Sequence, residues 1–258
     1  MTLGAGLTTQ GYKHLGNILG SGEGGGSPAT YQSKILALNP LAYWPLNDAA
    51  GPQATDVSGN SLHGTYDGVT LGVEGIGDGQ TAASFDGIND LVDIYSASLN
   101  TLVDMTIGSL FIWAKPVAGI LPGGNGFHYP FTIGVDGNNR VILLNADAAN
   151  TFWFQHNGSA VVDRAVKADY SSTDWNAVGL TWSESADELK GYYNGLQEDA
   201  TKDTLGSIAG ALGSTICVLG SSTNVGADLW EGRLAHAMIW DRVLSDAEIL
   251  SVAVNTPE

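Results

Sequence analysis

The sequence predicts an all-β fold in which two antiparallel sheets stack face to face as a jelly-roll sandwich. Three observations carry this expectation. Short apolar runs recur along the chain, and Gly-, Asn- and Asp-rich turns separate them at intervals of roughly 8–12 residues, the rhythm of sandwiches and jelly rolls. Glycine is abundant, at 35 of 258 residues, while charged residues make up only 14%, well below the usual fraction of about 25%. Turn formers in excess, with few Lys and Glu, favour strands and tight turns over helices. Within the runs, apolar side chains alternate or are continuous over short stretches, as strands buried on one or both faces require.

Residues 1–33 differ from the rest of the chain. Gly16, Gly20, Gly22 and Gly24-Gly25-Gly26 make this segment flexible in isolation. Spaced apolar residues (Leu3, Leu7, Tyr12, Leu15, Ile18 and Leu19) are more than a solubilising linker needs. The segment is therefore expected to be an extended arm that lies against a partner, with a single domain over residues 34–258. In that domain Leu41–Leu46 reads as an edge strand, because Pro45 cannot donate to a central ladder. Asp56-Val57-Ser58-Gly59-Asn60 is a turn. Ala82–Phe85 and Leu91–Tyr95 are strands joined through Asp86–Asp90, and Ile107–Ala114 is buried on one or both faces. Phe131–Val135 with Arg140–Asn145, and Thr151–Gln155 with Ala160–Ala165, are hairpins, the second turning on Asn157-Gly158. Ala177–Trp182 with Leu189–Tyr193 comes next, then Thr215–Leu219 and Leu234–Trp240. One helix is expected: Ser245-Asp246-Ala247-Glu248 has the S-x-x-E form of a capping box, with Ile249, Leu250 and Val252 behind it.

Composition also excludes function classes. With a formal net charge of −17 and only 10 Lys plus Arg, the surface repels phosphate backbones and anionic bilayers, so neither nucleic acid nor membrane is an expected partner. Cys217 is the single cysteine and lies in the apolar run Ile216–Leu219, so it reads as an inert core thiol. Met1–Gly20 has no basic and no continuous apolar region, so no secretory leader is expected, and no run is long enough to span a bilayer. Glycoside hydrolysis needs two carboxylates flanking the scissile bond. Glu184-Ser185-Ala186-Asp187-Glu188 has the wrong spacing and reads as a hairpin tip, while most other acids sit in Asp-Gly and Asp-Asn turns. His14, His63, His128, His156 and His236 show no zinc-binding spacing. No enzyme is expected.

Four ordered segments resemble the laminin-G-like branch of the concanavalin A-like lectin/glucanase superfamily. The first is Ala42-Tyr43-Trp44-Pro45-Leu46-Asn47-Asp48 with Asp56–Asn60 and His63-Gly64. The second is Ala83–Val92. The third is Trp175, Thr181-Trp182 and Lys190–Gly195. The fourth is Trp230–Ala235 with Ile239–Ile249. Each is weak alone, but together they cover about Leu38 to Val254. The resemblance implies one concave and one convex sheet, on a fold that hosts lectins, hydrolases, lyases and structural modules alike. Many members hold a structural calcium through loop oxygens. The matching positions here are Asp48, Asp56 and Asp241, assisted by Asn60, and they converge only if the first and last strands pair. No other cofactor is expected.

A Gly-rich arm joined to a laminin-G-like domain resembles accessory virion proteins of tailed phages. That architecture implies a virion protein made in the host cytoplasm, most simply a capsid decoration protein. It would dock on the major capsid protein or another virion protein through its arm, as a dimer or trimer. The alternative is a glycan-binding module of a tail fibre or adhesin, and a hydrolase is third. For sugar binding the candidates are Trp153, Trp182, Tyr192 and Trp230. In Thr151-Phe152-Trp153-Phe154-Gln155 either Trp153 or the Phe152/Phe154 pair faces outward. Trp44, Trp113, Trp175 and Trp240 are assigned to the core.

Overall fold

The computed structural model describes residues 30–117, 126–146, 150–159 and 161–254. Two eight-stranded sheets pack face to face, and every strand pairing is antiparallel. Sheet A runs, in spatial order, β14 (Leu196–Lys202), β13 (Glu188–Tyr193), β12 (Asn176–Ser183), β7 (Ile107–Pro116), β16 (Glu231–Trp240), β5 (Thr81–Asp86) and β4 (Thr70–Glu74), with β1 (Ala42–Trp44) also paired to β16. Sheet B runs β11 (Val161–Lys167), β10 (Thr151–Gly158), β9 (Asn139–Ala146), β8 (Phe127–Asp136), β15 (Val218–Leu219), β6 (Leu91–Asp93), β3 (Gly64–Asp67) and β2 (Gln53–Ala54). The core between the sheets includes Leu110, Ile112, Val178, Leu180 and Trp182 from sheet A, and Phe131, Val141, Leu143, Phe152 and Phe154 from sheet B. The sandwich fold and its antiparallel sheets are as the sequence predicts.

Among the described residues three helices accompany the sheets, where the sequence predicts one. The expected helix is α3 (Asp246–Val252), and both halves of its capping box form. The two others are single short turns, α1 (Tyr31–Leu36), capped by Thr30, and α2 (Ala97–Leu102), capped by Ser96. Neither is long enough to show a helical period in the sequence. α1 and α3 lie on the outer face of sheet A, where Tyr31, Ile35, Ile249 and Val252 pack with Phe111, Trp113, Met238 and Trp240 into a second apolar cluster. β7 and β12 are consequently buried on both faces.

The α1 helix also corrects a boundary. Tyr31 is buried, donates its hydroxyl to the Val252 carbonyl and accepts from Trp113 Nε1. The folded body therefore takes in Tyr31, and an arm ending at residue 33 would cut through a docked helix. The arm residues Leu3, Leu7, Tyr12, Leu15, Ile18 and Leu19 lie outside the described residues. Two local expectations shift as well. β5 and β6 belong to different sheets, so Asp86–Asp90 carries the chain across the sandwich. In the β10–β11 hairpin Asn157 still pairs with Val162 and Gly158 with Val161, which moves the turn to Ser159. Among the described residues no helix is long and apolar enough to cross a membrane.

Candidate functional site

The outer face of sheet B is set directly by strand alternation. Phe152 and Phe154 of β10 point into the core, so Trp153, Gln155 and Asn157 point outward. On β9 the outward set is Arg140, Ile142, Leu144 and Ala146, because Val141 and Leu143 belong to the core. On β11 Ala165 is inward, which turns Val162, Arg164 and Val166 out. Register then builds rows across the sheet: Arg164 beside Gln155 beside Ile142, and Val162 beside Asn157 beside Arg140. Tyr129, Ile142, Leu144 and Ala146 form a small apolar floor, with partly buried Trp153 packed against it. Among the described residues no helix lies on this face.

Two aromatic–cation pairs sit on that floor. The Arg164 guanidinium lies 3.5 Å from the Trp153 ring centroid, and Arg140 lies 5.6 Å from that of Tyr129. Such stacking leaves the edge of the guanidinium fork free to recognise a ligand. Hydrogen bonds fix the surroundings: Arg164 Nε donates to Gln155 Oε1 (2.8 Å), Gln155 Nε2 to Asn157 Oδ1 (2.7 Å), and Trp153 Nε1 to Thr151 Oγ1 (2.7 Å). Phe127 extends the aromatic strip, 5.5 Å from Trp153 and 43% exposed. Burial raises the Tyr129 hydroxyl pKa, while the charges of Arg140 and, less strongly, Arg164 pull it down; both cations therefore reach the same tyrosine. Burial lowers the pKa of Arg164 itself. Arg164 covers the Trp153 ring, so this face offers a ligand the exposed ring of Phe127 for packing against a sugar and the outer N–H edges of the guanidinium groups for bonding its hydroxyls.

Of the four aromatic residues proposed for sugar binding, only Trp153 lies on this face. Trp182 and Trp230 are core residues at 1% and 0% exposure, and Tyr192 is buried at 2% against the α1/α3 side of sheet A. The physical reason for Trp182 is its partner: it pairs with Gly108, where an added Cβ would come within 2.5 Å of the Trp182 ring. The glycine makes room for the indole inside the sandwich. Trp44, Trp113 and Trp240 are buried as expected, and Trp175 is partly buried against the same outer cluster. The sequence reading missed Tyr129, Arg140, Arg164, Gln155 and Asn157. Its available signal was the alternation Val162-Asp163-Arg164-Ala165-Val166, which puts an arginine on the face opposite a core alanine.

Three of the four calcium candidates, Asp48, Asp56 and Asn60, are engaged in hydrogen bonds within the fold. The first and last strands do pair, Ala42 opposite Ile239. Buried Asp56, however, already accepts from Tyr43 N and Ser58 N through Oδ1, and from Leu62 N and Ser58 Oγ through Oδ2. Asp48 accepts from Thr55 N and Tyr66 Oη, Asn60 donates to the Leu41 carbonyl, and Asp241 is exposed. Among the described residues no three His, Cys, Asp or Glu side chains are grouped to hold a metal. Cys217 is buried, and burial pushes its thiol up to about 12.

Glu184 is less solvated than a hairpin tip: its Oε1 accepts from Ile208 N and lies 3.7 Å from His156 Nε2. That separation is too long for a hydrogen bond. Both ring nitrogens of fully buried His156 go without one, and burial lowers its pKa to about 4 despite the nearby Asp163 charge. His156 is thus a neutral interior group.

Residues 109–250, more than half of the chain, match the family Laminin_G_3, described as the concanavalin A-like lectin/glucanases superfamily. The chain belongs to the concanavalin A-like lectin/glucanase superfamily. A comparison with curated protein sequences finds no match. Among solved structures, this superfamily member is similar to the CBM40 of the Ruminococcus gnavus IT-sialidase bound to α2,3-sialyllactose, with a TM-score of 0.53 and 17% identity over 67% of this chain and 96% of that one. It is also similar to the Trypanosoma rangeli sialidase in complex with sialic acid, with a TM-score of 0.61 and 13% identity over 84% of this chain and 33% of that one. An HCR/D chain gives a TM-score of 0.62 at 16% identity, over 83% of this chain and 52% of that one. The chain thus spans nearly all of the CBM40 but about a third of the sialidase. At these identities the likeness is one of fold.

Proposed function

We propose that this protein is a non-catalytic glycan-binding module that holds saccharides on the outer face of sheet B. The observation that carries the reading is Trp153, set on an apolar floor on a face that no described helix covers, with Arg164 stacked on its ring. The similar CBM40 and sialidase structures contain sialyllactose and sialic acid, and the shared sandwich makes the same kind of ligand a reasonable one to test here. A binding rather than hydrolytic role is supported by the strands themselves. On β8–β11 the only acids are Asp136, at the β8–β9 turn, and Asp163, opposite buried His156. The paired carboxylates of a glycosidase have no place in that arrangement.

The capsid-decoration reading relied on the arm, which lies outside the described residues. What the described residues offer is the aromatic face, so the lectin-like reading leads. The test is a glycan array with the full chain, then calorimetry on the best ligands for wild type and Trp153→Ala. The expected result is array binding that W153A weakens at least tenfold, with the melting temperature nearly unchanged. An array without specific signal, or a W153A variant that binds like wild type, would overturn it.

A further inference from the structure

We propose that this same face selects saccharides bearing a carboxylate, with Arg164 and Arg140 as its anion-holding groups and Trp153 as its platform. The inference rests on the glycan-binding reading above and specifies its ligand class. It starts from charge. The chain has 27 Asp plus Glu against 10 Lys plus Arg, and only four arginines: Arg140, Arg164, Arg233 and Arg242. Arg242 is committed to Glu248 and Arg233 faces Glu74. The other two stand together on one face, and among the described residues neither makes an ion pair with a carboxylate. In so acidic a protein, the register of β9, β10 and β11 thus puts two guanidinium groups on one face with no carboxylate among the described residues paired to either.

Their environment strengthens the argument. Arg164 is partly desolvated by the Trp153 ring, and that burial depresses its pKa, the direction for a cation short of water and counter-charge. Its Nε is spent on Gln155, leaving the terminal N–H groups for a ligand. Arg140 packs over Tyr129, and its buried Nε finds no hydrogen-bond partner. A guanidinium fork matches a carboxylate through two parallel N–H···O bonds, and such charge-assisted pairs are about twice as strong as neutral ones. Gln155 and Asn157, both buried, brace Arg164 through the chain of hydrogen bonds from Arg164 Nε to Gln155 Oε1 and from Gln155 Nε2 to Asn157 Oδ1. A polyanion such as nucleic acid is disfavoured by the net charge of −17, whereas a short saccharide with one acid group meets only the local field.

The experiment is calorimetric titration of the full chain with 3′-sialyllactose, trigalacturonate, lactose and 3′-sulfolactose, repeated for Arg164→Gln, Arg140→Gln and Arg164→Lys. Melting temperatures confirm that each variant is folded, and R164K retains the charge while removing the fork. The expected result is that at least one carboxylated ligand binds tenfold or more tighter than lactose. R164Q and R140Q should each lose that preference, and R164K should recover only part of it. Equal binding of lactose and the carboxylated sugars overturns the inference while leaving a glycan-binding module. Sulfolactose binding as tightly as the carboxylated sugars overturns carboxylate selection. Full acidic-sugar binding by both R164Q and R140Q overturns the residue assignment. No binding to any sugar here or on the array overturns the parent reading as well.

Discussion

The outer faces of the two sheets present the same kind of residues and end in opposite states. On sheet A, strand alternation turns Phe111, Trp113, Met238 and Trp240 outward, and α1 and α3 close over them. The polar tips are satisfied inside that layer: Trp113 Nε1 donates to Tyr31 Oη, which donates to the Val252 carbonyl, and Trp240 Nε1 donates to the Leu38 carbonyl. Buried His236 joins them, its Nδ1 2.7 Å from Tyr43 Oη and its Nε2 3.2 Å from Asp78. On sheet B the same alternation turns Tyr129 and Trp153 outward, and what lies over their rings is arginine. The lesson is that an outward aromatic residue is core or site according to what docks on it. A helix seals such a ring, whereas a guanidinium covers it but leaves its own N–H edge to a ligand.

The contrast breaks most sharply under truncation. Trp240→Ala should cost about 3–5 kcal/mol of stability, because the indole is fully buried beneath α1 and α3. Trp153→Ala, on partly open sheet B, should cost about 1 kcal/mol or less while removing glycan binding. Denaturant unfolding of both variants measures the difference; equal losses would mean that sheet B's face is closed as tightly as sheet A's.

Acid is the next lever, acting in the interior close to β11. His156 has a folded pKa of about 4, against 6.5 for the free side chain. The unfolded chain therefore takes up a proton that the folded chain refuses. Stability should be intact above about pH 6.5 and fall by on the order of 3 kcal/mol as the pH drops towards 4. His156→Leu should flatten that limb of a melting-temperature profile, and an unchanged profile would show that the imidazole is hydrated. A smaller effect probes the lid of sheet A. Ser245→Ala removes one half of the α3 capping box and should cost about 1 kcal/mol. That loss should disappear if α3 contributes nothing to closing the face. Glu248, held near 2 by Arg242 and the Ser245 amide, keeps the other half charged at any ordinary pH.

By itself the sequence determined the sandwich, because period-two burial and turn chemistry are local. Phe152 and Phe154 alternate with Trp153, and Ser245 with Glu248 marks a helix start within four residues. The net charge of −17, also read there, sets a field that disfavours phosphate backbones and anionic bilayers. Only the tertiary structure decided which aromatic residues are free. Trp182 and Trp230 read in sequence like Trp153, but the room for Trp182 is made by Gly108, on another strand. Arg140 and Arg164 are separated by a whole strand in the chain and share one face only through the register of β9, β10 and β11. Local pattern sets which face a side chain takes. What packs on that face is a long-range event, and here it separates a face sealed by helices from one that no described helix covers.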